Sequence, residues 1–122
     1  MRILICDDNA DAAQALGALL GSERHETFIC HDGGSCIDKA LEWKPGVALL
    51  DIGMPDMTGY AVAKAMRAED LGRKVLLIAV TGYGTPQDIQ LAMDAGFDLH
   101  LVKPADPARI LRAVSNRQSA HP

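Results

Sequence analysis

Five short apolar runs divide the chain: 3–6 (ILIC), 27–30 (TFIC), 47–50 (VALL), 75–80 (VLLIAV) and 99–102 (LHLV). Four of them are unbroken rather than alternating, the pattern of parallel strands covered on both faces. TFIC opens on a polar residue, which predicts an edge strand. Between the runs, apolar residues recur at helical spacing. The predicted faces are Ala12, Leu16, Leu19 and Leu20; Ile37, Ala40 and Leu41; Val62, Ala65 and Met66; Ile89, Ala92 and Met93; and Ile110, Leu111 and Val114. Asp8 or Asn9 caps the first helix, and Thr85 before Pro86 opens the fourth. Gly96 stands where a helix end favours a left-handed residue. Strict strand–helix alternation predicts an α/β fold, one parallel sheet with helices on both faces. The domain is expected over 1–116, with 117–122 as a frayed tail.

Composition narrows the function. The 122 residues suit one domain with its own core. A net charge of −4 offers no long-range attraction to nucleic acid or an anionic membrane. Neither direct nucleic-acid contact nor membrane insertion is expected. The basic residues are scattered; Arg109, Arg112 and Arg117 read as a solvated helix face. Three cysteines, with no C-x-x-C, read as buried free thiols in a reducing compartment. The first apolar run is too short for a signal peptide. A cytoplasmic, bacterial-type setting is therefore expected.

Ligands of open parallel sheets bind beyond the carboxyl ends of the strands. The residues there are Asp7 and Asp8 after the first run, Asp51 after the third, Thr81 and Gly82 after the fourth, and Lys103 and Pro104 after the fifth. The second run leads to His31 and Asp32, with no evident chemistry. Carboxylates brought together raise one another's cost of ionisation. Lys103 relieves that, and so does a hard divalent cation such as Mg²⁺ with oxygen ligands. Such a cation favours a phosphate ligand, whose other oxygens Thr81 and Lys103 can reach. Asp51 then becomes a nucleophile that takes up a phosphoryl group as an acyl phosphate. Each residue also has a plain structural use: a helix cap, a turn or a strand exit. Four coincidences at successive strand ends are the less economical account. G-x-G at 82–84 leads to no further glycine at Gln87, and no Walker A sequence occurs, which disfavours nucleotide binding. His25, His31 and His100 are isolated and read as surface or core residues.

Together the motifs ICDDN, LLDIGMPDMTGY, AVTGYG and AGFDLHLVKPAD resemble the response-regulator receiver domain of two-component signalling. The likeness runs from Arg2 to Val114. It implies a flavodoxin-like sheet of order 2-1-3-4-5. It implies Asp51 as phosphoacceptor and Mg²⁺ as cofactor, with Mn²⁺ as a substitute. The implied ligands are Asp8, Asp51 and the Gly53 carbonyl, with Asp7 acting largely through water. Thr81 matches the switch hydroxyl, Lys103 the lysine that pairs with the phosphoryl group, and Gly82 a position kept small for donor access. Lys103–Pro104 matches a bond usually cis in this family. The implied partner is a histidine kinase or histidine phosphotransfer protein. The implied role is a phosphorelay switch, not an enzyme acting on other substrates. TGYG and AGFDLHLVKP resemble receivers attached to hybrid sensor kinases. The Ala-rich NADAAQALGALL offers a low-profile surface for a donor's helices, or simply a good helix former.

Two departures matter. His100 stands where the family usually has an aromatic switch residue, implying a smaller and titratable packing change. Gly53 and Tyr83 stand at positions that influence acyl-phosphate lifetime. Gly53 has no side chain to orient water and Tyr83 is bulky, so slow self-dephosphorylation is expected. Two rivals remain. A phosphohydrolase with an Asp nucleophile usually carries D-x-D after its first strand, whereas Asp7 and Asp8 are adjacent. A degenerate receiver working without phosphorylation conflicts with intact Asp8, Asp51, Thr81 and Lys103.

Overall fold

The computed structural model of the chain describes residues 1–69, 75–82 and 84–120. Strands β1 (Arg2–Cys6), β2 (Glu26–Cys30), β3 (Val47–Asp51), β4 (Leu76–Thr81) and β5 (Leu99–Val102) form one sheet of order β2-β1-β3-β4-β5. Every pairing is parallel. TFIC thus becomes an edge strand, as its polar start predicts. Helices α1 (Ala10–Ser22), α2 (Gly33–Trp43), α3 (Gly59–Ala68), α4 (Pro86–Ala95) and α5 (Pro107–Ala120) connect the strands or follow them. α5 runs through Ala120, so the stretch expected as a tail begins inside a helix. Arg117, Gln118 and Ala120 are good helix formers, and no Gly or Pro interrupts them. Residues 121–122 lie outside the described residues.

Alternate strand residues build two cores. Leu4, Ala48, Leu50, Leu77 and Ala79 pack with α2, α3 and α4. Ile3, Ile5, Val47, Leu49 and Ile78 pack with α1 and α5. Burying both faces removes the strands' apolar surface from water at about 25 cal/mol per Å². That burial is why the runs are unbroken rather than alternating.

The helix faces differ in detail from the predicted ones. In α1 the buried residues are Ala13, Gly17 and Leu20, while Ala12 is exposed. The helix lies close to the sheet at Gly17, where a Cβ would stand 3.2 Å from Ile29 Cδ1. In α2 Cys36 and Ala40 are buried and Leu41 is exposed. In α3 Val62, Ala63 and Met66 are buried. In α4 Ala92 and Ala95 face inward, leaving Ile89 and Met93 exposed. Small residues let these helices approach the sheet closely, and spacing alone does not choose between small and large apolar faces. In α5, Ile110 and Val114 are buried. Asn9, not Asp8, caps α1 by accepting from Ala12 N–H. Thr85 and Asp88 form a reciprocal cap on α4, with Pro86 in its first turn. Gly96 ends α4 at φ 105°. All three cysteines are free and buried.

Candidate functional site

The sheet register delivers the candidate residues to one edge. Cys6 pairs with Leu50, Asp51 with Val80 and Thr81 with Val102. Asp7, Asp51, Thr81 and Lys103 therefore leave the sheet side by side. β1 is flanked by β2 and β3, so the chain's crossovers diverge here and open a crevice. Lys103–Pro104 is cis, and Lys103 N–H donates to the Thr81 carbonyl at 2.7 Å.

Lys103 Nζ lies 3.5 Å from Asp7 Oδ2 and 3.4 Å from Asp51 Oδ1. Asp51 Oδ1 also accepts from Gly53 N–H at 3.3 Å. Asp7 Oδ1 accepts from Asn9 N–H at 2.9 Å. Burial pushes the Asp7 carboxyl above its ordinary range, and the charge of Asp51 adds to this. The Asn9 amide and the Lys103 ammonium oppose the shift.

Asp7, Asp8 and Asp51 each offer a carboxylate oxygen, all within 4.8 Å of one another. Asp51 is buried and Asp8 exposed. Three hard oxygen donors at this spacing, open to solvent on one side, fit Mg²⁺ with several waters retained. They do not suit a soft metal. Thr81 is 3% exposed at the same edge. Gly82 is exposed, and a Cβ there would meet nothing within 4 Å. The same is true of Gly53. His100 lies half-buried on β5, opposite Ala79. Its Nε2 is buried with no hydrogen-bond partner among the described residues. Tyr83 lies outside the described residues.

Three supporting residues escape the sequence analysis. His31 Nδ1 donates to the Asp7 carbonyl at 2.9 Å. The only prior signal was its place at the end of an apolar run. Gly59, first residue of α3, donates to the Ile52 carbonyl at 2.9 Å. A Cβ at Gly59 would stand 2.6 Å from the Asp51 carbonyl oxygen, so only glycine fits this close approach. Asp56 accepts from Gly33 and Gly34 N–H at 2.8 and 3.0 Å, tying the loop after Asp51 to the start of α2. Those two amides hold its carboxyl below the usual range, as a helix N-terminus does for a bound anion. Nothing in apolar spacing marks this cross-loop bond.

Residues 3–115 match the response regulator receiver domain family. The DNA-binding response regulator MtrA of Mycolicibacterium paratuberculosis is 30% identical over 116 residues, which cover 95% of this chain and 50% of MtrA. The chain spans about half the length of such relatives. The polar-differentiation response regulator DivK of Brucella anthropi is 25% identical over 114 residues, 93% of each chain. A CheY-like receiver domain protein from Methanospirillum hungatei JF-1 superposes with a TM-score of 0.88 at 28% identity. That superposition covers 98% of this chain and 94% of the other. With a family match along nearly its whole length, on the sheet order found here, the chain belongs to the response regulator receiver domain family.

Proposed function

We propose that this chain is a phosphorylation-dependent switch that accepts a phosphoryl group on Asp51 in a Mg²⁺-dependent reaction. Receiver domains are signalling switches rather than enzymes with external substrates. The observation that carries the reading is the approach of Lys103 Nζ to both Asp7 and Asp51, beside a third carboxylate from Asp8. The donor is a phospho-histidine on a histidine kinase or histidine phosphotransfer protein.

Asp51 gives Oδ1 to Lys103 and to Gly53 N–H, leaving Oδ2 for attack on phosphorus. The new bond is Oδ2–P, and the bond that breaks is P–N to the donor imidazole, which leaves with the electron pair. Asp7, Asp8, Asp51 and the Gly53 carbonyl would hold Mg²⁺, or Mn²⁺ in its place, which would neutralise charge on the phosphoryl oxygens. Lys103 screens the acids beforehand and then pairs with a phosphoryl oxygen. Thr81 turns its hydroxyl toward the phosphoryl group, and His100 answers with a rotamer change on β5. That pair converts one local charge event into a change of surface. Ring signals of His100 that stay identical with and without a phosphoryl mimic would remove it from the switch.

Incubation with Mg²⁺ and acetyl phosphate, read by intact mass, tests the central claim. One phosphoryl adduct is expected, absent in Asp51→Asn and absent with a chelator. No adduct from acetyl phosphate or from a phospho-histidine donor would return the reading of a phosphorylation-independent interaction module. Gly53, with Tyr83, makes the acyl phosphate long-lived, because Gly53 has no side chain to orient water. Loss of the adduct within seconds, with no phosphatase added, would overturn that part.

A further inference from the structure

We infer that His31 is a positioning residue for the acidic pair Asp7–Asp8, holding the backbone that aims both carboxylates at a cation. The inference rests on the metal-holding reading of the site. The β1–β2 ladder continues past Cys6, with Asp7 N–H donating to the Cys30 carbonyl at 3.1 Å. The next parallel rung would take a backbone N–H from Asp32 to the Asp7 carbonyl. That rung is not among the backbone bonds of the described residues; Asp32 turns the chain into α2 as its N-cap, its Oδ1 accepting from Ser35 N–H at 2.8 Å. The His31 side chain supplies the missing donor at 2.9 Å. A carbonyl can only accept, so Nδ1 carries the hydrogen.

The consequence follows from peptide planarity. The Asp7 carbonyl belongs to the peptide that joins Asp7 to Asp8, so fixing its oxygen also fixes Asp8 N and Cα. Asp7 is then held at four points: its N–H by Cys30, its carbonyl by His31, its Oδ1 by Asn9 N–H and its Oδ2 by Lys103. Asp8 is exposed, and its backbone direction is set through that shared peptide. Groups that orient metal ligands from behind commonly change affinity about 10–100-fold when removed.

The test uses the full chain as wild type, His31→Ala, His31→Asn and His31→Gln, with Mn²⁺ binding followed by electron paramagnetic resonance. His31→Ala should weaken Mn²⁺ binding about tenfold. Asn places its amide nitrogen where the imidazole Nδ1 sits and should restore affinity; Gln places it one bond farther and should not. A metal-free readout accompanies this. Nitrogen NMR should find Nδ1 protonated, and the Asp8 and Asn9 amide shifts should move in His31→Ala but not in His31→Asn. Equal Mn²⁺ affinity in wild type and His31→Ala, or equal behaviour of Asn and Gln, would overturn the inference. If His31→Ala does not fold, the Asn–Gln comparison decides alone. If wild type binds no Mn²⁺, the metal reading fails, and the amide shifts still judge whether His31 sets the Asp8 backbone.

Discussion

Lys103 and Asp7, 96 positions apart in the chain, meet at 3.5 Å, and the same ammonium stands 3.4 Å from Asp51. One cation thus serves two carboxylates that no local sequence feature connects. Replacing it with Ala removes a preplaced charge from where the proposed phosphoryl group would sit. Lys103→Ala should lower the rate of phosphoryl uptake by roughly 100-fold or more, the scale of losing a preorganised electrostatic partner. Its fold should be intact. Intact-mass time courses with acetyl phosphate and far-UV circular dichroism check both parts. An unchanged uptake rate would remove Lys103 from the chemistry.

Asp7 carries a pH signature. Burial holds its carboxyl above the ordinary 3.8, so the folded state binds a proton more tightly than the unfolded chain does. Its stabilising contribution is then fully present below the ordinary value and is lost as pH rises through the raised one. Without divalent cation, Asp7→Asn should gain on wild type across that window. Mg²⁺ needs the ionised form, so its affinity should rise over the same range. Urea midpoints and Mg²⁺ titrations as a function of pH measure the two effects. A wild type that gains stability relative to Asp7→Asn as pH rises would reverse the assigned sign.

Gly59 faces the backbone of Asp51, the proposed phosphoacceptor. In Gly59→Ala the new methyl would meet the Asp51 carbonyl oxygen at 2.6 Å and Ile52 Cα at 2.9 Å. Both are main-chain atoms and yield little. The variant should lose about 1–3 kcal/mol of stability, with slower phosphoryl uptake as Asp51 shifts. By contrast, Gly53→Ala should fold as well as wild type, since a Cβ there meets nothing within 4 Å. Equal urea midpoints for the two variants would contradict the assignment.

Arg67 and Asp98 test whether stability and chemistry separate. Arg67 donates to Asp98 Oδ2 at 2.8 Å, to the Gly96 carbonyl at 2.9 Å and to the Val75 carbonyl at 2.7 Å. Asp98 Oδ2 also accepts from Leu77 N–H at 2.9 Å. The pair staples α3 to the starts of β4 and β5, at the end of the sheet away from Asp51. Both side chains are about four-fifths buried. Asp98→Ala takes one carboxylate from a largely buried guanidinium and the acceptor from Leu77 N–H, and should cost about 2–4 kcal/mol. Phosphoryl uptake by the folded fraction should match wild type. Urea unfolding with intact mass in the same samples reads both.

Much of this protein was legible along the chain. Unbroken runs such as VALL announced strands buried on both faces, and strict alternation with helical segments left a parallel sheet as the economical answer. Asp7, Asp51, Thr81 and Lys103 were legible for the same reason: each directly follows a run, and parallel strands end together. Local signals were equally direct, as with the Thr85–Pro86 helix start and Gly96 at a left-handed helix end. Tertiary packing decided the rest. Periodicity names an apolar stripe but not which side a sheet accepts, so Gly17 and Ala95 went inside while Ile89 and Met93 stayed out. Pairing across distant segments was invisible too. His31 on the Asp7 carbonyl, Asp56 on the α2 amides and Gly59 against Asp51 each depend on a close approach that only the packed backbone creates. Hydrogen bonds and steric contacts act over a few ångströms in space, whereas sequence records only separation along the chain.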